Sequence, residues 1–348
     1  MNTLYIMGLG PGDYSQLSLK VLKKIKEAPH VYVRTADHPA VQILKGKDIP
    51  MTFFDDFYEE MNEDFEKVYE KIVKYLLEQL KKGDVYYAVP GHPCVAERTV
   101  AILLHKIPNQ VNIVGGQSFL DDLFQAIKID SVEGFQLVDA FTLDYRKITP
   151  RQHVVIMQVA HSFIASHVKM ELMEIYPDDH MVYFVDNAGT SLEKVEKIAL
   201  YELDYFDDVN NLRSLYVPPL TRDQNMREMT TLLECMEDIH HPEHGDAWIL
   251  TQSQKKLLSY LKQEVTEYEK ALLDDNPENE VEELGDILMV LLHCMMALKK
   301  EEYYTIQDVL EKINQKVRFR HPHIFDGLVA RTPEEVDRIW QERKRQEK

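Results

Sequence analysis

Glu264 and Glu267 stand three residues apart, and so do Glu283 and Asp286. On a helix that spacing puts both members of a pair on one face. Leu257, Leu258, Leu261, Val265 and Tyr268 give the first segment an apolar side. The loop Asp274-Asp275-Asn276-Pro277 allows an antiparallel return, and Pro277 suits the first turn of a second helix. Two facing pairs then bring four carboxylates to one point. Hard oxygen donors with no Cys or His among them suit Mg2+ or Mn2+. Asp286 lies in an apolar run from Leu284 to Leu292, so this second helix is expected to be buried. A buried carboxylate needs a partner or a metal. Gly285 costs a helix interior about 1 kcal/mol relative to Ala, which points to close packing there. One such pair also arises on solvated helices that bind nothing. Two pairs on adjacent helices are harder to obtain without a ligand.

The elements that must position these groups follow from the hydrophobic pattern. Short apolar β-rich runs at 4–7, 30–33, 85–89, 111–114, 154–158, 181–185 and 214–217 alternate with amphipathic segments such as 64–82, 95–105 and 163–176. That alternation predicts an α/β architecture with largely parallel strands. Pro218-Pro219 breaks the pattern, because proline removes a donor and restricts its predecessor. Beyond it only helical patterns remain, at 226–239, 252–273, 280–298, 305–317 and 333–344. The domains expected are therefore 1–218, α/β, and 219–348, all-α.

The chain has 348 residues, 45% of them apolar, and 40 basic against 59 acidic side chains give a formal charge of −19. That is apolar material enough for a core, and the acidity excludes the basic stripe a nucleic-acid face requires. Cys94, Cys235 and Cys294 are odd in number and in no CxxC spacing, as expected in a reducing cytoplasm. No secretory leader pattern is present, and the longest apolar stretch, 287–298, is too short to span a bilayer. No membrane or nucleic-acid partner is expected.

Lys316, Arg318 and Arg320 lead into His321-Pro322-His323-Ile324-Phe325. This basic cluster fits either a polyphosphate or a helix C-terminus complemented by cations. Together with Leu261-Lys262-Gln263-Glu264-Val265-Thr266-Glu267, Glu283-Leu284-Gly285-Asp286 and the ending 339–348, it resembles the all-α MazG-type nucleoside triphosphate pyrophosphohydrolases over about residues 225–348. The resemblance implies Mg2+-dependent cleavage of a nucleoside triphosphate to the monophosphate and pyrophosphate. Glu264, Glu267, Glu283 and Asp286 would hold the metal, one of them also orienting or deprotonating water. Trp248, Gln252, Lys316 and Arg320 would bind the substrate. Ile249 stands where that family has an acidic residue, and Gln263 where it often has Glu. An anionic substrate can approach four carboxylates only through bridging cations.

Gly8-Leu9-Gly10-Pro11-Gly12-Asp13 follows the first strand directly, where glycines commonly line a ligand crevice. Pro11 and Asp13 separate it from the GxGxxG fingerprint. With Arg34-Thr35-Ala36-Asp37-His38-Pro39, Pro90-Gly91-His92-Pro93 and Gly115-Gly116-Gln117-Ser118-Phe119 in order, residues 1–218 resemble the tetrapyrrole (corrin/porphyrin) methylases, two α/β lobes that bind S-adenosylmethionine in a cleft. The resemblance implies that Gly8, Gly10, Gly12 and Asp13 shape that cleft. Gly91 and Pro93 would line its methionine side, and Gly116, Ser118 and Phe119 would lie near the adenosyl group. The order of the two domains is similar to the YabN-type fusions of Gram-positive bacteria.

Other features carry plainer readings. His240-His241-Pro242-Glu243-His244 reads as a solvated loop, and His153, His161 and His167 as histidines without an obvious partner. Residues 338–348 read as a solvated helix face. The acidic run Asp55, Asp56, Glu59, Glu60, Glu63 and Asp64, interleaved with Phe53, Phe54, Phe57 and Tyr58, reads as cover for an interface. The leading expectation is a cytoplasmic, homodimeric nucleoside triphosphate pyrophosphohydrolase fused to an S-adenosylmethionine-binding methyltransferase domain. Two alternatives stay open: a working methyltransferase whose helical domain only dimerises, and a non-enzymatic ligand-sensing regulator.

Overall fold

Strand β1 (Leu4–Gly8) is buried almost throughout, as a central strand covered on both faces must be. In the computed structural model, which describes residues 1–60, 65–300 and 304–347, β1 lies inside a five-stranded parallel sheet. Its other strands are β2 (Val31–Val33), β3 (Met51–Phe53), β4 (Val85–Val89) and β5 (Val111–Gly115), in the order β3-β2-β4-β1-β5. Helices α1 (Leu19–Glu27) and α2 (Pro39–Lys45) cover one face, where Val21, Ile25, Val41 and Leu44 meet Met7, Val31 and Ala88. After the short α3 (Asp55–Glu60), α4 (Phe65–Leu80) and α5 (Arg98–Lys106) cover the other, where Ile72, Leu76 and Leu103 meet Ile6, Tyr87 and Val89.

The aromatic run beside the acidic residues belongs to this core. Phe54 is 1% exposed and stacks among Tyr32, Phe57, Tyr75 and Tyr87. It does not cover an interface, because its neighbours lie on α3, α4 and the sheet. Glu63 and Asp64 of that run, and Lys348, lie outside the described residues.

Helix α6 (Phe119–Ile127) leads to a second sheet of β6 (Phe135–Asp139), β7 (His153–Met157), β8 (Met181–Asp186), β9 (Lys194–Ala199) and β10 (Arg213–Val217). The order is β6-β7-β10-β8-β9. Only β6 and β7 pair in parallel; β10 runs antiparallel to both its neighbours, and β8 and β9 form an antiparallel pair. The expectation of largely parallel strands thus holds for the first sheet alone. The connection from β8 to β9 is too short for the crossover that parallel pairing demands. Helix α7 (Ser162–Met173) packs on this sheet through Ile164, Val168 and Leu172.

The chain divides into two compact units, Met1–Asn225 and Met226–Lys348. The second is helical: α8 (Met229–Ile239), α9 (Gln254–Leu273), α10 (Pro277–Lys300), α11 (Ile306–Arg320), the single turn α12 (Pro322–Phe325) and α13 (Pro333–Gln346). Helices α9 and α10 form an antiparallel hairpin, and Met236 of α8 packs on Leu292 and Met296 of α10. The expected burial of α10 fails. Val281 is 73% exposed, and Leu284, Met289 and Leu291 are exposed as well. Nothing lies within 4 Å of a Cβ built on Gly285, so no close packing within the chain explains that glycine. Val290, Leu292, Met296 and Ala297 lie on the covered side, and the rest of the apolar band is left open. Among the described residues no helix is long and apolar enough to cross a membrane.

Candidate functional site

The hairpin of the second unit is built for facing side chains. Ser253 caps α9 by accepting from the Lys256 N–H at 3.3 Å, Asp275 takes the left-handed turn at φ 51°, and Pro277 opens α10. Across the hairpin one carboxylate oxygen each from Glu264, Glu267 and Glu283 come within 4.8 Å of one another. Asp286 lies outside that set, half-buried, yet close enough for its charge to bear on both Glu264 and Glu283. Burial and then the neighbouring carboxylates push the proton affinities of Glu264 and Glu283 upward. Gln263 donates to Glu267 Oε1 at 3.0 Å. Glu283 Oε2 is buried with no hydrogen-bond partner. An unpartnered buried oxygen among like charges is costly, and it suits a hard dication that all three groups could share.

The other expected substrate groups are dispersed. Trp248, 57% exposed, packs at 5.9 Å against Tyr260, one helical turn before Glu264. Gln252 Nε2 donates to the Trp248 carbonyl at 2.9 Å and so closes its own turn. Lys316 is exposed on α11. Arg320 makes two 2.6 Å hydrogen bonds to Glu347 and lies over Trp340. His240, read as part of a solvated loop, is half-buried, with its Nε2 2.8 Å from His293 Nδ1.

In the first unit the glycines crowd the carboxyl ends of β1, β4 and β5. A Cβ on Gly8 would collide with the Gly91 carbonyl oxygen and come within 2.8 Å of Pro93 Cδ and 2.9 Å of Gly116 Cα. Gly10, at φ 81°, exchanges backbone hydrogen bonds with Gly91. His38 Nε2 sits 2.9 Å from the Gly10 carbonyl, and burial lowers its proton affinity, leaving a neutral ring that donates to it. Asp13 caps the turn at Tyr14–Gln16, and Ser118 caps α6 by accepting from the Leu120 N–H. Both are local caps. Gly91 and Phe119 line a cavity of about 240 Å3, whose walls also include Pro11, Arg34, Glu97 and Thr190. Pro93 lines a neighbouring cavity instead.

Several lining residues had no signal in the sequence. Ala96, Gln158 and Asn187 all line the cleft in the left-handed region, at φ 54°, 67° and 51°. Only asparagine among them advertises that conformation. Such strain clusters where surrounding structure holds a ligand site. Arg34 pairs with the buried Glu97 at 2.6 Å and donates to Tyr58 OH. Burial opposes its charge, but Glu97 and Tyr58 more than offset this, so the guanidinium stays firmly charged. His153, read as lacking a partner, meets Tyr216 OH at 2.7 Å.

The family model of the tetrapyrrole (corrin/porphyrin) methylases matches residues 3–204, more than half of the chain. The chain belongs to that family. The model of the MazG nucleotide pyrophosphohydrolase domain matches residues 252–325, which contain all four carboxylates. YabN of Bacillus subtilis is 39% identical over 348 residues, covering 99% of this chain and 71% of YabN. The nucleoside triphosphate pyrophosphohydrolase/pyrophosphatase MazG of Thermotoga maritima is 35% identical over 118 residues, 34% of this chain and 44% of that protein. The nucleoside triphosphate pyrophosphohydrolase of Escherichia coli K12 is 27% identical over 123 residues, 47% of its length. The match thus spans just under half of each of these two enzymes. Uroporphyrin-III-C-methyltransferase from Thermus thermophilus aligns with a TM-score of 0.49 at 18% identity, over 63% of this chain and 94% of its own. The chain is therefore a methylase-family α/β unit followed by a MazG-like helical unit.

The crowding at the glycine-rich turn makes a direct prediction. Gly8→Ala should destabilise the protein by about 2–3 kcal/mol, read as a lowered denaturation midpoint, because the Gly91 and Gly116 backbones cannot yield as a flexible side chain would. A midpoint equal to the native protein's would show that the strand ends are not rigidly packed.

Proposed function

We propose that the helical unit is a nucleoside triphosphate pyrophosphohydrolase dependent on a divalent cation, Mg2+ or Mn2+, and that the cleft of the first unit binds S-adenosylmethionine for methyl transfer. The observation that carries the first reading is the meeting of Glu264, Glu267 and Glu283 around an unpartnered buried oxygen. The sequence relationship to nucleoside triphosphate pyrophosphohydrolases supports it.

In this reading Glu264, Glu267 and Glu283 hold the cation, with Asp286 beside them. The cation would screen the carboxylates from the triphosphate and neutralise charge on the transferring phosphoryl group. A carboxylate of the cluster orients the attacking water and accepts its proton. Water oxygen bonds to the α-phosphorus, the bond from that phosphorus to the bridging oxygen breaks, and pyrophosphate leaves with the bond's electron pair. Trp248 beside Tyr260 offers an exposed aromatic surface for a base, and Lys316 a cation for the phosphates. Arg320 takes part only by giving up Glu347.

The same reading includes a cytoplasmic homodimer. Leu258, Val265 and Leu272 recur at seven-residue intervals on α9, each 49% exposed, and Val281 and Leu284 are exposed on α10. Patches of this kind are rarely left open on a soluble helical hairpin, and a second copy would cover them.

Pyrophosphate release from a panel of ribo-, deoxyribo-, oxidised and deaminated nucleoside triphosphates should require Mg2+ and stop with EDTA. Glu283→Gln should lower it by about 100-fold or more. Binding of S-adenosylmethionine with no release from a folded protein would instead favour the methyltransferase with a dimerising helical unit. Light scattering should give the mass of two chains, and Val265→Asp should shift it toward one. A native monomer would refute the dimer.

A further inference from the structure

The 187–193 connection between β8 and β9 carries Asn187, Ala188 and Thr190 into the wall of the cleft. No sheet ladder holds it there. It meets a buried carboxylate instead: Asp122 on α6 is 9% exposed, and Gln16, beside it, 8%. Gln16 Nε2 donates to Asp122 Oδ2 at 2.9 Å and lies 3.3 Å from the Gly189 carbonyl oxygen. Gln16 Oε1 accepts from the Asp13 N–H at 2.6 Å. Gln117 Nε2 donates to the same carboxylate, at 3.0 Å from Oδ1 and 3.1 Å from Oδ2.

The segments pack closely here. A Cβ on Gly189, at φ 75°, would collide with the Asp122 carboxyl group and lie 2.6 Å from Gln16 Nε2. A Cβ on Gly12 would lie 3.0 Å from Thr190 Cγ2. One carboxylate thereby ties together three segments: the glycine-rich turn through Gln16, the entry to α6 through Gln117, and the 187–193 connection through Gln16 and direct packing. Each of the three contributes to the cavity wall, as Pro11, Phe119 and Thr190.

We infer that Asp122 is a positioning residue of the cleft, whose ionised carboxylate holds these three segments in the arrangement that takes the ligand. The inference rests on the reading that this cleft binds S-adenosylmethionine. Its hydrogen-bond partners are neutral amides, and the charges bearing on it are those of Asp121 on its own helix and Glu193 on the connection. Burial first, then these two acids, raise its proton affinity, partly offset by the two amides. The raised value places loss of the carboxylate at milder acidity than for an ordinary aspartate. The clamp therefore weakens as pH falls toward the carboxylate range.

Hydrogen exchange on the full-length, ligand-free protein tests the clamp without any ligand. Asp122→Ala should speed exchange in 187–193 about tenfold while the amides of β7 and β10 keep their protection, since the variant removes charge-assisted hydrogen bonds and not the sheet. S-adenosylhomocysteine, used as the probe in calorimetry, should bind Asp122→Ala about tenfold more weakly at about pH 7.5. The native affinity should fall as pH is lowered from about 7.5 toward the ordinary carboxylate range. Asp122→Asn, uncharged like the protonated carboxyl, should bind at about pH 7.5 as weakly as the native protein does after acidification, and lose that pH dependence. Unchanged exchange in 187–193 for Asp122→Ala, or the native pH dependence in Asp122→Asn, would overturn the inference. Faster exchange in a protein that does not bind the probe would uphold the clamp and refute the ligand reading.

Discussion

Carboxylates gathered between two helices repel one another, and the hairpin of α9 and α10 has to hold them together against that repulsion. The helical register places Glu264 and Glu267 on one strip, and Pro277 starts the return so that Glu283 faces them. Three carboxylates with oxygens within 4.8 Å of one another, one with an unpartnered buried oxygen, are a poor arrangement for an empty protein and a good one for a bound dication. The raised proton affinities of Glu264 and Glu283 are the same fact seen through protons: without a metal, protonation is the available way to relieve the charge.

The first unit solves a different problem. It brings the uncharged backbones at its strand ends close together, and it does so by excluding side chains. A methyl group on Gly8 or Gly116 would run into the Gly91 carbonyl oxygen between them, and the neutral His38 ring fixes the Gly10 carbonyl behind them. The opposite wall comes from the second sheet, and its non-glycine residues Gln158 and Asn187 are held in the left-handed region by what surrounds them. One unit concentrates charge and the other concentrates backbone.

Much of this was legible in the sequence because it rests on periodicity. Carboxylates three apart and glycines after a strand announce themselves. Strands β3, β6 and β9 do not. β3 has three residues, and the charged edge strand β9, Lys194–Ala199, exposes its first four side chains, so neither shows an apolar run. The expected burial of α10 fails for a related reason: an apolar band in the sequence does not say whether the same chain covers it. The histidine pair His240–His293 and the Arg34–Glu97 pair join residues 53 and 63 positions apart, and no local pattern carries such information.

The central claim is that the cluster on α9 and α10 exists to hold a divalent cation. Titration of Mn2+ into the full-length protein, followed by the loss of its free electron paramagnetic resonance signal, tests that claim without reference to any substrate. The account predicts tight binding of at least one Mn2+ per chain, competed by Mg2+ and abolished in Glu283→Gln with the helical circular dichroism unchanged. Mn2+ bound equally by the native protein and by that variant, or by neither, would contradict it.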